Sequence, residues 1–147
     1  MSTRSQLGFY EPGEKDLKKW IGLIYRHCDG YPTGILPDIM PFLKKFKDVR
    51  GNDPEYQGAW LLHELLKEHD AYMEKAGYKN GFTGFGVCHD FHGDIEYFYA
   101  IYPDKVDVYS CGWDVPPKDW KLLGTVQIDK GTDKTYIMIS AEKLEKE

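Results

Sequence analysis

The fold class of this chain is decided by residues 95–109, IEYFYAIYPDKVDVY. Two runs rich in aromatic and β-branched residues, 95–102 and 106–109, flank the turn 103–105 and predict an antiparallel hairpin. Residues 82–92 alternate between two faces with the two-residue period of a strand, so they predict a third strand of the same meander. Further strands are predicted at 6–10 and 20–25, which would pair with each other, and at 122–128 and 135–139.

Two helices are predicted between these groups of strands. Apolar residues recur at spacings of three and four within 37–47 and give a first helix one buried face: Ile39, Met40, Leu43 and Phe46. Asp53 is a natural N-cap, Pro54 a natural first helical residue, and Gly77 a natural residue just after a helix. The apolar stripe expected on this second helix comprises Trp60, Leu62, Leu65, Leu66, His69, Tyr72, Met73 and Ala76.

The elements predict a single α+β domain over residues 1–147. Their order favours an antiparallel sheet of about five to seven strands with two helices packed on one face. The charged tail, 141–147, is expected to be a frayed helical end.

Composition excludes several classes of protein. The net charge is −5, whereas duplex-DNA binders present a basic surface, so no duplex-DNA partner is expected. Residues 1–5 lack the apolar core of a signal peptide, and no apolar run approaches the ~20 residues that span a bilayer. Three cysteines without a Cys-x-x-Cys pair favour a reducing compartment. We therefore expect a cytoplasmic protein, in a host cytosol, with no membrane partner.

The candidate site lies where the second strand ends, in IYRHCDGYP at residues 24–32. His27 and Asp29 are two residues apart, so in extended backbone they project to the same side. His27 could then act as a general base oriented by Asp29, and Arg26 could hold an anion. Tyr31 adds a hydrogen-bonding group beside them. The alternative is a structural turn in which Asp29 caps backbone N–H groups and His27 is a sheet-edge residue.

No metal and no cofactor are expected. Cys88 and His92 would share a strand face but lie ~13 Å apart at the rise of a strand, too far for one ion unless a loop brings them together. His89 is expected to be a buried, hydrogen-bonded residue. The His-Glu pair at 63–64 would need a second histidine at position 67, where Lys67 stands, so a zinc-protease helix is excluded.

Three segments resemble a family of small proteins common in phage and prophage genomes. They are Met1-Ser2-Thr3-Arg4-Ser5, Ile24-Tyr25-x-His27-x-Asp29-Gly30-Tyr31-Pro32 and Gly93-Asp94-Ile95-Glu96-Tyr97-x-Tyr99. The resemblance implies an origin in a mobile element but no reaction, because the family has no established activity. Cys28 departs from the family, which often has an aromatic residue there. The signature that the resemblance marks is Arg4, His27, Asp29, Gly30, Tyr31 and Pro32.

Three functions are compatible with these residues. The first, which we expect, is an accessory protein that binds an anionic small molecule or a protein partner through the turn 26–32. Arg4 would join this site if the first two strands pair. The second is a small hydrolase with His27 as base, Asp29 as its orienting partner and Arg4 or Arg26 stabilising charge. The third is a structural interaction protein. Its aromatic sheet or its tryptophan loop 112–121 would bind another protein or a second copy of the chain, which would make a homo-oligomer.

Overall fold

A six-stranded sheet carries three helices on one face in the computed structural model, which describes residues 2–78 and 84–146. The strands are β1 (Ser5–Phe9), β2 (Gly22–Arg26), β3 (Phe85–Val87), β4 (Tyr97–Ile101), β5 (Lys105–Ser110) and β6 (Lys121–Gln127). The helices are α1 (Pro32–Arg50), α2 (Pro54–Lys75) and α3 (Lys134–Glu145). The strands lie in the order β3-β2-β1-β4-β5-β6.

The sheet is mostly antiparallel, and the predicted α+β class is confirmed. β1 and β2 form the expected hairpin, with Ser5 opposite Arg26. β4 and β5 form the hairpin predicted from residues 95–109, and β6 extends it. The exception is the central pair, because β1 and β4 run parallel. A parallel pair needs a long crossover, which the chain supplies by passing through α1, α2 and β3 between β2 and β4.

The main apolar core lies between the sheet and the helices. Leu7 and Phe9, at alternate positions of β1, are buried there, as strand geometry requires. The buried face predicted for the first helix is confirmed. The helical residues of this core are Ile35, Leu36, Ile39, Met40, Leu43, Leu61, Leu65, Ile137, Ala141 and Leu144.

Loops cover the opposite face of the sheet. Tyr10, Leu23 and Phe98 are buried there, and Trp120 packs on Phe98 with the ring centroids 5.1 Å apart. Trp113, in the same predicted loop, is 75% exposed. Of the two tryptophans in this loop, Trp120 therefore closes a core and Trp113 faces solvent.

The C-terminal segment forms a third helix, so the strand predicted at 135–139 is wrong. Residues 141–145 are helical, in line with the helical end predicted at 141–147, of which residue 147 lies outside the described residues. The Asp133 carboxylate caps α3 by accepting a hydrogen bond from the backbone N–H of Tyr136 at 3.0 Å. The β-branched content of 135–139 favoured a strand, but burial follows a helical spacing of four and three. The buried residues of α3 are Ile137, Ala141 and Leu144.

Two helix predictions need correction in detail. α1 begins at Pro32 rather than at position 37, because Pro32 occupies the first turn, where a missing N–H costs little. The N-cap predicted at Asp53 is confirmed, since its carboxylate accepts from the N–H of Tyr56. The stripe predicted on the second helix is displaced, with Trp60 and Tyr72 41% and 69% exposed. Leu65 is buried as predicted, and the other buried residues of α2 are Pro54, Gln57 and Leu61.

The strand predicted at 82–92 is shorter and has a different partner. β3 pairs with β2 rather than β4, while positions 82 and 83 lie outside the described residues. Beyond β3 the chain leaves the sheet, and two hydrogen bonds to the Gln6 side chain hold it in place. The Gln6 side chain donates to the Asp90 carbonyl at 3.1 Å and accepts from the N–H of His92 at 2.9 Å. His89, predicted to be buried, is exposed.

Candidate functional site

The turn that follows β2 is tied to two strands of the sheet. The N–H of Gly30 donates to the Thr3 carbonyl, just before β1, at 3.0 Å. The buried Tyr99 hydroxyl of β4 donates to the Gly30 carbonyl at 2.6 Å. Asp29 adopts a left-handed backbone conformation, with φ of 56°, which Asp and Asn tolerate better than most residues. The polar turn is therefore held in a defined position above the end of the sheet.

Arg26, the last residue of β2, lies on the helix side of the sheet. Its Nη2 forms an ion pair with the Asp38 carboxylate of α1 at 3.0 Å. Its Nε donates to the Cys28 carbonyl at 2.8 Å, and its guanidinium lies 5.7 Å from the ring centroid of Phe85. The residue is only 9% exposed, and Nη1 is buried without a hydrogen-bond partner among residues 2–78 and 84–146. One donor of a buried cation is thus left unpaired.

A cavity of about 670 Å³ opens beside this guanidinium. Its walls come from the end of β2 and the following turn, from α1, from α2 and from β3. We call it the β2-end cavity. Its volume lies within the ~300–1,000 Å³ range of small-molecule sites. Its lining residues are Arg26, His27, Cys28, Asp29, Asp38, Leu65, Glu68, His69, Tyr72, Gly84 and Phe85.

Negative charge dominates the wall of the β2-end cavity. Three carboxylates, Asp29, Asp38 and Glu68, face one guanidinium, and Asp38 already pairs with that guanidinium. The pKa of Glu68 is raised by partial desolvation, and then by repulsion from Asp38 and Glu64. The guanidinium offsets this rise only in part. Among the residues that the structure describes, Asp38 is thus the one carboxylate of this lining in an ion pair, and Asp29 and Glu68 have no cationic partner.

His69 brings a second unpaired polar atom to the cavity. Its ring meets the Phe85 ring edge-on, with centroids 6.0 Å apart, and its Nε2 is buried with no hydrogen-bond partner in the described part of the chain. Leu65, one turn earlier on α2, is buried in the main core. The inner wall thus combines apolar surface with two polar atoms that lack partners.

The structure brings three of the five predicted ligand-binding residues to this cavity: Arg26, His27 and Asp29. Tyr31 stands behind Asp29, and its hydroxyl donates to Oδ1 of that carboxylate at 3.2 Å. Arg4 lies beside the end of β2, as expected, but does not line the cavity. Its Nε is 3.6 Å from Oδ2 of Asp94.

His27 points away from Arg26, as neighbouring strand residues do. Its Nδ1 is hydrogen-bonded to the Tyr25 hydroxyl at 2.9 Å, while the Asp29 carboxylate accepts from Tyr31. Within residues 2–78 and 84–146, Tyr25 and not Asp29 is therefore the group that orients His27. The catalytic pair of His27 and Asp29 stays a prediction, with a geometry that does not favour it.

Tyr25 connects the turn to a surface cluster on the loop-covered face. Its ring stacks on His92, with centroids 4.6 Å apart and planes at 15°. Desolvation and the nearby Asp94 carboxylate raise the pKa of Tyr25, and Arg4, which is hydrogen-bonded to Tyr25, offsets part of this rise. Arg4 thus belongs to the cluster around Tyr25 and not to the lining of the cavity.

Sequence reasoning missed the cavity residues that come from the helices: Asp38, Glu68, His69 and Tyr72. A signal for three of them was present on α2. The buried positions Gln57, Leu61 and Leu65 continue, at helical spacing, through Glu68, His69 and Tyr72. Polar residues on the continuation of a core stripe indicate a helix that extends past its apolar support and over a cavity.

Two further features bear on the choice of site. A second cavity, of about 460 Å³ near the start of β2, is lined mainly by apolar side chains, with Glu55 as its one ionisable residue among those described. In the described parts of the chain, no group of three or more His, Cys, Asp or Glu residues could hold a metal ion. Of the two cavities, only the β2-end cavity has a guanidinium, carboxylates and imidazoles among its described lining residues.

Comparison of the chain with protein-family models, curated proteins and solved structures found no match. The phage-type resemblance accordingly stays a prediction from the segments that carry it. Of the helices in the described ranges, none has both the length and the apolar character needed to cross a membrane.

Proposed function

We propose that this protein binds a small molecule that carries an anionic oxygen, such as a carboxylate or phosphate, in the β2-end cavity. The observation that supports this function is the unpaired, buried Nη1 of Arg26. A buried donor without a partner costs about 1–3 kcal/mol, and a charged one more. An anionic ligand oxygen would offset that cost, and a guanidinium is well suited to hold one.

The surroundings of Arg26 support a binding site rather than a purely structural ion pair. Asp38 and the Cys28 carbonyl use two of the guanidinium nitrogens, Nη2 and Nε, and fix its plane. Arg26 lines the cavity, so a ligand there would meet a guanidinium whose plane is already fixed, which reduces the ordering cost of binding. The phage-type resemblance adds the proposal that the protein is an accessory factor of a mobile element.

The proposal is tested by titrating the isotopically labelled protein with hexanoate and with inorganic phosphate. We expect amide NMR shifts at Cys28, Gly84 and Phe85 as the anion occupies the cavity. Arg26→Lys keeps the charge but loses the planar donor set, so it should weaken binding severalfold. Arg4→Lys is the matched control and should leave affinity unchanged. Shifts confined to the Arg4, His92 and Asp94 cluster would contradict the proposal.

Alkylation provides a second test that needs no core substitution. Cys28 is exposed and lines the cavity, so its reaction with N-ethylmaleimide should block the anion from entering. Cys28→Ser should bind the anion normally and should be insensitive to the reagent. Unchanged binding after complete alkylation of Cys28 would count against the β2-end cavity as the site.

A further inference from the structure

The chemical groups that line the β2-end cavity differ between its inner wall and its mouth. Arg26 is 9% exposed, and both unpaired atoms, Nη1 of Arg26 and Nε2 of His69, are buried. Asp29 and Glu68, by contrast, are exposed residues of the same lining. The inner wall therefore offers the guanidinium donor of Arg26 and a ring nitrogen of His69, and the mouth offers carboxylates.

The carboxylates at the mouth have no cationic partner in residues 2–78 and 84–146. The ion pair of Arg26 is with Asp38, and the oxygen of Asp29 accepts from the Tyr31 hydroxyl. A ligand that is only an anion would have to pass these carboxylates and remain near them, at an electrostatic cost. A ligand that is only a cation would leave Nη1 of Arg26 unpaired.

The wall between the two ends is apolar and aromatic. Leu65 and Phe85 line the cavity beside the guanidinium, and Tyr72, 69% exposed, lines its outer part. Aliphatic carbon atoms gain by burial against such a wall. Aromatic ring faces also attract an ammonium group.

We propose that the ligand is a zwitterion of the amino-acid class, with its carboxylate at Nη1 of Arg26 and its ammonium group at the mouth between Asp29 and Glu68. This inference rests on the proposed function and deepens it by naming the ligand class. It assigns a role to Glu68, His69 and Tyr72, which the turn 26–32 alone does not explain. The ligand's carbon skeleton lies against Leu65 and Phe85.

Four six-carbon probes test the two charges one at a time and together. Hexanoate carries only the carboxylate, hexylamine carries only the ammonium group, and norleucine and 6-aminohexanoate carry both. Affinity is measured for each at neutral pH and low salt by NMR titration, read at the amides of His69 and Gly84. We expect at least one zwitterion to bind more tightly than hexanoate by about two- to fivefold, the size of one partly exposed ion pair. Hexylamine should bind more weakly than that zwitterion.

The double variant Asp29→Asn/Glu68→Gln should abolish the advantage of the zwitterion over hexanoate while hexanoate still binds. Glu142→Gln, a change on α3 outside the cavity lining, should keep the advantage. Hexanoate binding as tightly as both zwitterions would overturn this inference and leave the proposed function standing. Equal binding of hexylamine and the zwitterions, or no response to any probe that carries a carboxylate, would overturn the proposed function as well.

Discussion

Gly30 shows at the level of one residue why the turn has its sequence. A Cβ atom at this position would lie 2.6 Å from Cβ of Ser5 and 2.8 Å from the Thr3 carbonyl oxygen. Both atoms belong to the chain entering β1, which the backbone of Gly30 must approach to form its hydrogen bond. The glycine of the His-x-Asp-Gly-Tyr-Pro segment therefore has a packing role that its sequence position alone did not reveal.

Gly30→Ala should lower the free energy of unfolding by about 1–3 kcal/mol, because the added methyl group forces the turn away from β1. Gly86→Ala is the matched control, since among the described residues a Cβ there would approach only Cβ of Tyr25, at 4.0 Å. Urea unfolding followed by tryptophan fluorescence measures both variants. Equal losses for the two would contradict the close packing of the turn.

The three cysteines differ in environment, which predicts an order of alkylation. Burial raises the pKa of the Cys111 thiol to about 12 and also raises that of Cys88. Since the thiolate is the reacting form, both thiols should react slowly at neutral pH. Cys28 is exposed and should be labelled first by iodoacetamide, as read by mass spectrometry of peptides. In guanidinium chloride all three should react alike, and a native Cys111 that reacts as fast as Cys28 would refute the assignment.

At the level of elements, α3 depends on a single cap. The Asp133 carboxylate accepts from the N–H of Tyr136, so Asp133→Ala should cost about 1 kcal/mol of stability. Asp133→Asn retains a capping oxygen and should cost much less. Thermal unfolding by circular dichroism compares the two variants. If both were as stable as the parent protein, the helix would have to be held by packing alone.

The elements also show how far local sequence signals reach. The β1–β2 and β4–β5 hairpins and the Asp53 cap depend on residues close in sequence, and all were predicted. α3 was not, because the run TYIMI at 135–139 fits a strand or a helix, and its packing against α1 across some 90 positions decided the outcome. The partner of β3 was predicted wrongly for the same reason, since β2, with which it pairs, lies far away along the chain.

The residues of the candidate site also fall into two groups: those close in sequence, which could be predicted, and those that only the packing of the helices brings together. Arg26, His27 and Asp29 lie in one short segment, and sequence reasoning grouped them. Asp38 and Glu68 reach the cavity only because α1 and α2 pack on the sheet, so no spacing rule could join them to the turn. The predicted pairing of His27 with Asp29 assumed extended backbone, whereas Asp29 has a φ of 56°.

At the scale of the whole molecule, the β2-end cavity lies where the sheet, the helix layer and the polar turn meet. The folded protein holds Glu68 near other carboxylates without a cationic partner in the described part of the chain. Its pKa is raised above the usual 4.5, first by desolvation and then by Asp38 and Glu64. The folded state thus binds this proton more readily than the unfolded state, and ionisation of Glu68 opposes folding.

Glu68→Gln should therefore make the protein no less stable at pH 7, and more stable by about half a kcal/mol or less because the group is partly exposed. The sign follows from the raised pKa: the cost is complete above the folded-state pKa and vanishes below 4.5, where Glu68 is protonated in both states. Urea unfolding at pH 7 and at about pH 4 measures the difference, with Glu142→Gln as the control. A clear loss of stability at pH 7 would mean that Glu68 has a stabilising partner in the folded protein. The mouth of the cavity would then lack the unneutralised charge that an ammonium group needs.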